Sequence, residues 1–249
     1  MNIFVQDESK NIYGTWKDRR SKYIIQKALN EGVQKLSLIT SGNAGYSLAM
    51  HARPHGIQVV CIVDQKLKDG VKNKLREVCH VIEVELGTKI LKPEEVIALV
   101  RMNEHESVWD VTNGYSESYV SIISELPRPH PDFLICPVGS GEAFVGLYQA
   151  IKENHLHTKL IGVGVEECSS FADKLSTPWT PYANKISEIL TEGHQLLRLS
   201  EKQVKTTYEK YTGSYKSEPS AVVVWAALEF VDISSSSNIV IVNSGEGLW

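Results

Sequence analysis

Phe133-Leu134-Ile135-Cys136-Pro137-Val138-Gly139-Ser140-Gly141-Glu142-Ala143 is the stretch whose reading decides the fold. Its first six residues are apolar throughout, as a strand buried on both faces requires. Glycine and serine then break the run, and residues from about Ala143 to Glu153 suit a helix. A buried strand that turns on small residues into a helix is the repeating unit of an α/β protein with a mainly parallel sheet. Small residues at such a turn let backbone amides close on an anion at the helix N-terminus. The spacing does not complete G-x-G-x-x-G, because Phe144 fills the last position and Gly146 comes two later; no G-K-[ST] follows either. The turn therefore suits a phosphate better than a dinucleotide or a nucleoside triphosphate.

The same alternation runs along the rest of the chain. Helical patterns cover Lys17–Glu31, Asn43–His55, Val71–Val78 and Pro93–Met102, and strand patterns cover Leu36–Thr40, Ile57–Val63, His80–Leu86, Leu160–Val165 and Ile239–Val242. A weak seam lies near Asn113 to Ser118, where polar residues and a glycine interrupt the pattern. The expected architecture is two three-layer α/β lobes with mainly parallel sheets. The larger would comprise residues 1–20 plus 116–249, and the smaller residues 21–115.

The 249 residues are 42% hydrophobic and 22% charged, with a formal charge of -4, the profile of an ordinary globular protein. No basic run stands out, so no nucleic-acid or membrane partner is expected. Two acids, Asp7 and Glu8, arrive before any apolar run can form a signal peptide. The cysteines, Cys61, Cys79, Cys136 and Cys168, make no C-x-x-C pair. Cys61 and Cys136 sit in apolar runs and read as reduced core residues, which suits the cytoplasm. His51 and His55 have the i, i+4 spacing of metal ligands, but no Glu adjoins them, no third ligand is in view and Pro54 disturbs the helix. They read as solvated or capping residues, and no metal is expected.

Three further segments can carry chemistry. Gly14-Thr15-Trp16-Lys17-Asp18-Arg19 opens a helix after a strand-like start. A Schiff-base lysine needs a fixed position and a lowered pKa, which Arg19 and Arg20 would favour by repulsion; a lone lysine is otherwise a solvated charge. Thr40-Ser41-Gly42-Asn43-Ala44-Gly45 joins a strand to a helix, with Ser41 a plausible N-cap and exposed first-turn amides that would attract a carboxylate. Asn43 adds a donor able to reach a phenolic oxygen. Asn243-Ser244-Gly245-Glu246-Gly247 follows the last strand, where Ser244 could present a neutral hydroxyl to a ring nitrogen. Each of the last two is, alone, an ordinary polar turn.

Together, in this order, the segments resemble the fold-type II family of pyridoxal 5′-phosphate (PLP) enzymes, which includes threonine synthase, cysteine synthase and the serine/threonine dehydratases. Asp7-Glu8-Ser9 followed by Asn11 to Arg19 resembles that family's E-x-x-N-P-T-G-S-F-K-D-R. Ser41 to Gly45 resembles its S-G-N-[TA]-G, Pro137 to Gly141 its glycine-rich phosphate loop, Glu218-Pro219-Ser220-Ala221 its E-P-[AS]-[SG]-A, and Ser244 to Leu248 its T-G-x-G-L. The likeness spans essentially the whole chain and is greatest to threonine synthase.

The resemblance implies that Lys17 carries the cofactor and shuttles the α-proton. It implies that Asn43 binds the phenolic oxygen, that Gly139, Ser140, Gly141, Glu142 and Ala143 form the phosphate loop, and that Ser244 faces the ring nitrogen. Thr40, Ser41, Asn43 and Ala44 would bind the carboxylate of a small amino acid. Elimination or replacement on that amino acid follows, threonine synthase-like, with a dehydratase-like or cysteine synthase-like activity, or a non-catalytic or partner-dependent paralogue, as the alternatives. Ile12, Tyr13 and Trp16 stand where Pro, Thr and Phe are usual, and Glu142 where small or amide residues are common. A carboxylate aimed at a phosphate would repel it, so the loop works only if Glu142 points away. Family members usually have more chain before the Asp7 region, so a homo-oligomer (a dimer) or a partner chain is expected to cover surface there.

Overall fold

The computed structural model describes residues 1–87, 90–103, 105–166, 169–177, 180–213 and 215–248. In chain order the strands are β1 (Asn2–Asp7), β2 (Lys35–Ile39), β3 (Gln58–Asp64), β4 (His80–Val84), β5 (Trp109–Asp110), β6 (Phe133–Pro137), β7 (Lys159–Val165), β8 (Gln195–Leu199) and β9 (Asn238–Asn243). The longer helices are α1 (Lys17–Asn30), α2 (Asn43–Ala52), α3 (Asp69–Arg76), α4 (Pro93–Val100), α5 (Ser121–Glu125), α6 (Glu142–Glu153), α7 (Ala183–Thr191) and α8 (Glu201–Tyr211). The chain divides into two compact units, residues 1–16 with 116–246, and residues 17–115 with the stretch from Gly247.

The first unit holds a five-stranded parallel sheet in the order β1-β9-β6-β7-β8. Its inner strands β6, β7 and β9 are apolar on both faces because both are covered. Leu134, Cys136, Leu160, Val240 and Val242 pack with Phe144, Leu147 and Ile151 of α6. Ile135, Ile161, Val163, Ile239 and Ile241 pack on the other side with Val204 of α8 and Val223 to Ala227. Gly146, left over from the incomplete glycine fingerprint, has a packing role: a Cβ there would overlap the Ser116 carbonyl oxygen.

The second unit holds a four-stranded parallel sheet in the order β4-β3-β2-β5. Leu36, Leu38, Val59, Cys61 and Val63 pack with α1, α2 and α3 through Ile24, Leu48 and Leu75. Val60 and Ile62 face the opposite way, onto Val96 and Val100 of α4. Each unit is thus a three-layer α/β sandwich.

Several boundaries differ from expectation. The division falls after Trp16 rather than after Arg20, because α1 begins at Lys17 and Asp18 and Arg20 bury their side chains within the second unit. The stretch from Gly247 also goes with that unit, where the Leu248 N–H donates to Asn43 Oδ1 at 3.0 Å. The α2 helix gives way at Arg53 to a 3-10 turn containing Pro54. Cys61 and Cys136 are buried free thiols and Cys79 is a half-buried one; Cys168 lies outside the described residues. Burial pushes the Cys136 thiol well up. Among the described residues no helix is long and apolar enough to cross a membrane.

Gly146→Ala tests the close packing of α6. Alanine favours a helix by about 1 kcal/mol over glycine, but overpacking against a backbone carbonyl typically costs about 1–3 kcal/mol. The expected result is a net loss, seen as a lower urea midpoint; an equal or higher midpoint would show that the Ser116 turn yields.

Candidate functional site

In open parallel sheets ligands gather at the carboxyl ends of the strands. In the first unit, β6 and β9 are neighbours, and the Gly139–Ala143 turn and Ser244 leave from their carboxyl ends. Val138 extends the ladder by donating to the Val163 carbonyl at 2.8 Å. Gly141 then caps α6 at φ 88°, a conformation glycine adopts without strain. A Cβ on Gly139 would lie 2.9 Å from the Lys174 carbonyl oxygen, and one on Gly141 would lie 2.6 Å from Ile186 Cδ1. The turn is therefore bare backbone followed by the first amides of a helix, a donor set that suits a phosphate.

Glu142 is buried, and its Oε1 accepts the Tyr182 hydroxyl at 3.0 Å. The Thr180 hydroxyl donates to the Ser140 carbonyl and accepts from the Tyr182 N–H at 3.1 Å. The segment Thr180 to Tyr182 thus braces the loop and binds its carboxylate. Nothing local in the sequence announces this brace, which comes from some 40 residues downstream.

Ser244 is buried at the end of β9, and its carbonyl accepts from Trp16 N–H at 3.0 Å and from the Thr15 hydroxyl at 3.3 Å. Thr15 and Gly245 form an antiparallel bridge, and the Glu246 N–H donates to the Gly14 carbonyl at 3.0 Å. Upstream, buried Glu8 accepts from Gln6 at 3.0 Å and from Asn11 at 2.7 Å, and Asn11 also reaches the Thr15 carbonyl at 3.2 Å. Trp16 packs at 5.3 Å, centroid to centroid, on Tyr119. Gly14, Thr15 and Trp16 are consequently buried and held by several bonds, while Ile12 stays exposed.

In the second unit Lys17 is the first residue of α1. The adjoining Asp18 is fully buried; Ser47 of α2 donates to its Oδ1 at 2.5 Å, and the Ser21 and Ser47 hydroxyls are 2.8 Å apart. His51 Nε2 lies 3.7 Å from the same carboxylate. This corrects the reading of His51 as solvated: a helical turn along α2 from Ser47, it faces buried Asp18. The Arg20 guanidinium donates to the Val111 and Thr112 carbonyls and covers the Tyr115 ring at 5.2 Å.

The turn after β2 is shaped by Thr40. Its Oγ1 accepts from the amides of Gly42 at 3.0 Å and Gly45 at 3.2 Å. The N-cap of α2 is Gly42, not Ser41, because the cap residue takes φ 132°, which a serine rarely adopts. Thr40 is buried and serves the loop, while Ser41 is exposed and Asn43 and Ala44 are half-buried. Asn43 Oδ1 accepts from the Leu248 N–H. Among the described residues no cluster of three metal-ligating side chains occurs.

Comparison with known proteins matches residues 1–245 to the family described as pyridoxal-phosphate dependent enzyme. Solved structures share the fold. An O-acetylserine dependent cystathionine β-synthase from Helicobacter pylori is 19% identical, with 98% of this chain and 86% of that one covered and a TM-score of 0.76. Maize serine racemase is 19% identical, with 99% and 84% covered and a TM-score of 0.78. A hydrogen sulfide-producing enzyme from Fusobacterium nucleatum is 18% identical, with 98% and 80% covered and a TM-score of 0.79.

A double-mutant cycle tests the brace on the Gly139–Ala143 loop. Tyr182→Phe should lower stability by about 1.5 kcal/mol in urea titrations, the low end for a hydrogen bond to a charged group. The same change in a Glu142→Gln background should lower it less. Equal losses in the two backgrounds would show that Tyr182 does not act through the carboxylate.

Proposed function

The chain belongs to the pyridoxal-phosphate dependent enzyme family, and from that membership we propose that it performs replacement or elimination at the β-carbon of an O-activated serine, in the manner of a cysteine synthase. PLP is its cofactor, and the chain has the fold-type II architecture. The supporting neighbours include an O-acetylserine dependent cystathionine β-synthase, an O-ureido-L-serine synthase and a serine racemase, all named for serine or a serine derivative. That company favours a serine-derived substrate over the O-phosphohomoserine of a threonine synthase.

One observation carries the reading. Buried Asp18, next to Lys17, is bonded by Ser47 of the helix that the Ser41–Gly45 turn opens. The amine and the carboxylate-binding turn therefore belong to one rigid unit. When bound, the cofactor supplies an electron sink for a substrate joined to it. Lys17 would hold the cofactor covalently, and its amine, when free, would take and return the α-proton. The first amides of α2, with Ser41, Asn43 and Ala44, would hold the substrate carboxylate. Asn43 would also bind the phenolic oxygen. Gly139 to Ala143 receive the phosphate, with Glu142 engaged by Tyr182. Ser244 offers the ring nitrogen a neutral hydroxyl, which sustains less positive charge there than an aspartate would and favours departure of a leaving group.

Edge strand β1 exposes Ile3 and Phe4, apolar surface that a second copy or a partner chain would cover. Free thiols at Cys61, Cys79 and Cys136 suit the cytoplasm.

The visible spectrum tests this function. PLP-loaded protein should show a band near 410 nm, roughly, that borohydride abolishes and that Lys17→Ala lacks. Adding O-acetylserine should move the band, and adding sulfide as well should yield cysteine. Threonine from O-phosphohomoserine, or racemised serine with no β-replacement, would overturn the substrate assignment. Absence of the band in folded protein would make the non-catalytic paralogue the correct reading. Ser244→Asp should move the band of the substrate-bound protein to longer wavelength; an unchanged spectrum would remove Ser244 from the ring nitrogen.

A further inference from the structure

Cys61 and Cys79 form a pair that the chemistry above does not use. Their sulfurs lie 3.4 Å apart within the second unit. Cys61 is fully buried in the middle of β3. Cys79 is half-buried in the turn between α3 and β4, with its sulfur 3.3 Å from the Leu75 carbonyl. Cys79 also lines a cavity of about 620 Å³ where β2, β3 and β4 begin, at Lys35, Gln58 and His80. One thiol can therefore be reached from outside, and the other lies directly behind it.

The surroundings favour reaction at Cys79. Arg53, His80, Arg101 and Lys35 line the cavity, and no carboxylate is among its described lining residues. Lys35 is bonded to Glu106 at 3.0 Å and Arg101 is attracted by the same carboxylate, so two of the four basic side chains share one acid. Reactive cysteines sit in such electropositive, partly exposed places. The Cys61 thiol beside it holds Cys79 below the ordinary thiol value, against burial, while the same contact together with burial holds Cys61 above it.

Cys61 is also packed against the substrate turn. A Cβ on Gly45 would lie 2.6 Å from Cys61 Sγ and 2.7 Å from Thr40 Cγ2. Gly45 is the residue whose amide Thr40 holds at 3.2 Å. The Cys61 sulfur is thus part of the floor on which the Ser41–Gly45 turn rests.

The geometry points to Cys79 and Cys61 as a hydroperoxide-oxidisable dithiol whose disulfide loosens the Ser41–Gly45 turn through Gly45. The Cys79 thiolate attacks a hydroperoxide oxygen; the O–O bond breaks, the sulfur becomes a sulfenic acid, and the departing oxygen leaves as water or an alcohol. Cys61 then attacks the Cys79 sulfur, its proton goes to the departing hydroxide, and water leaves as the S–S bond forms. With hydrogen peroxide, two thiols and one peroxide give one disulfide and two waters; each sulfur loses one electron and each peroxide oxygen gains one. Closing the gap from 3.4 Å to a bond of about 2.05 Å draws the Cys61 sulfur off Gly45. The thiol chemistry stands independently of the cofactor. Only the meaning of the movement for amino-acid binding rests on the function proposed above.

The test treats the purified full chain with hydrogen peroxide and maps its peptides by mass spectrometry without reduction. A linked Cys61–Cys79 peptide, lighter by two hydrogens than its reduced parts, is expected. Cys61→Ser should instead leave a sulfenic acid at Cys79 that dimedone traps, and Cys79→Ser, at the less buried position, should leave Cys61 a thiol. Amide hydrogen exchange across residues 42–46 should quicken by about threefold or more in the oxidised chain and not in Cys79→Ser. Cys79 driven to sulfinic acid with Cys61 still reduced would overturn the pairing. A linked peptide with unchanged exchange would overturn the coupling to the turn. Neither readout needs bound cofactor, so both outcomes are distinct from the absence of a cofactor band.

Discussion

The lysine segment depends on a close approach between two stretches of backbone. Trp16 and Glu246 donate across it to Ser244 and Gly14, and any Cβ on Gly245 would overlap the Gly14 carbonyl oxygen. Gly245 meets this demand at φ 130°, a conformation in which an ordinary side chain would be strained. Each hydrogen bond adds only about 1 kcal/mol net, but together they leave the peptide before Lys17 little freedom. Asn243 secures the far side, donating to Asp7 at 2.8 Å and to the Lys216 carbonyl at 3.1 Å while accepting from Ser217 at 2.8 Å. Ser244 and the segment leading to Lys17 are therefore parts of one hydrogen-bonded assembly.

The turns ahead of α2 and α6 are shaped by different means. Ahead of α2, the Thr40 hydroxyl takes up two of the turn's amides and fixes its curvature. Ahead of α6, glycines bring the backbone close to Lys174 and Ile186, and a tyrosine from a later loop carries the burden of a buried carboxylate. Glu142 at the start of a helix also sits where the helix dipole favours negative charge. A carboxylate at this turn is thus compatible with local electrostatics once Tyr182 has engaged it.

What could be read in advance follows from the range of each interaction. The β6–α6 unit was plain because a doubly buried strand is apolar without interruption and its turn must be small. Edge strand β8 escaped notice because most of Gln195–Leu199 is only half-buried and carries Arg198. β5 is two residues long, too short for any periodicity. The Ser41 cap was misassigned because serine is the commoner cap, whereas φ 132° at Gly42 emerges only from tertiary geometry. Tyr182 on Glu142, His51 beside Asp18 and Leu248 on Asn43 join distant residues and leave no local mark. The candidate lysine and both loops were legible as residues in order; their supports were not.

The pairing of β1 with β9 has a consequence for how the molecule comes into being. Asn2 stands opposite Asn238, so β1 finds its neighbour only after the residues between them have been synthesised. Until then Ile3, Phe4 and Val5 have no ladder, and the pairing must close a separation of 236 positions. The sheet β4-β3-β2-β5, by contrast, comes from one continuous run of sequence and can assemble while the ribosome is still at work. The β4-β3-β2-β5 sheet can therefore be complete while β1 still waits for its partner strand, and that waiting apolar segment is one for chaperones to guard.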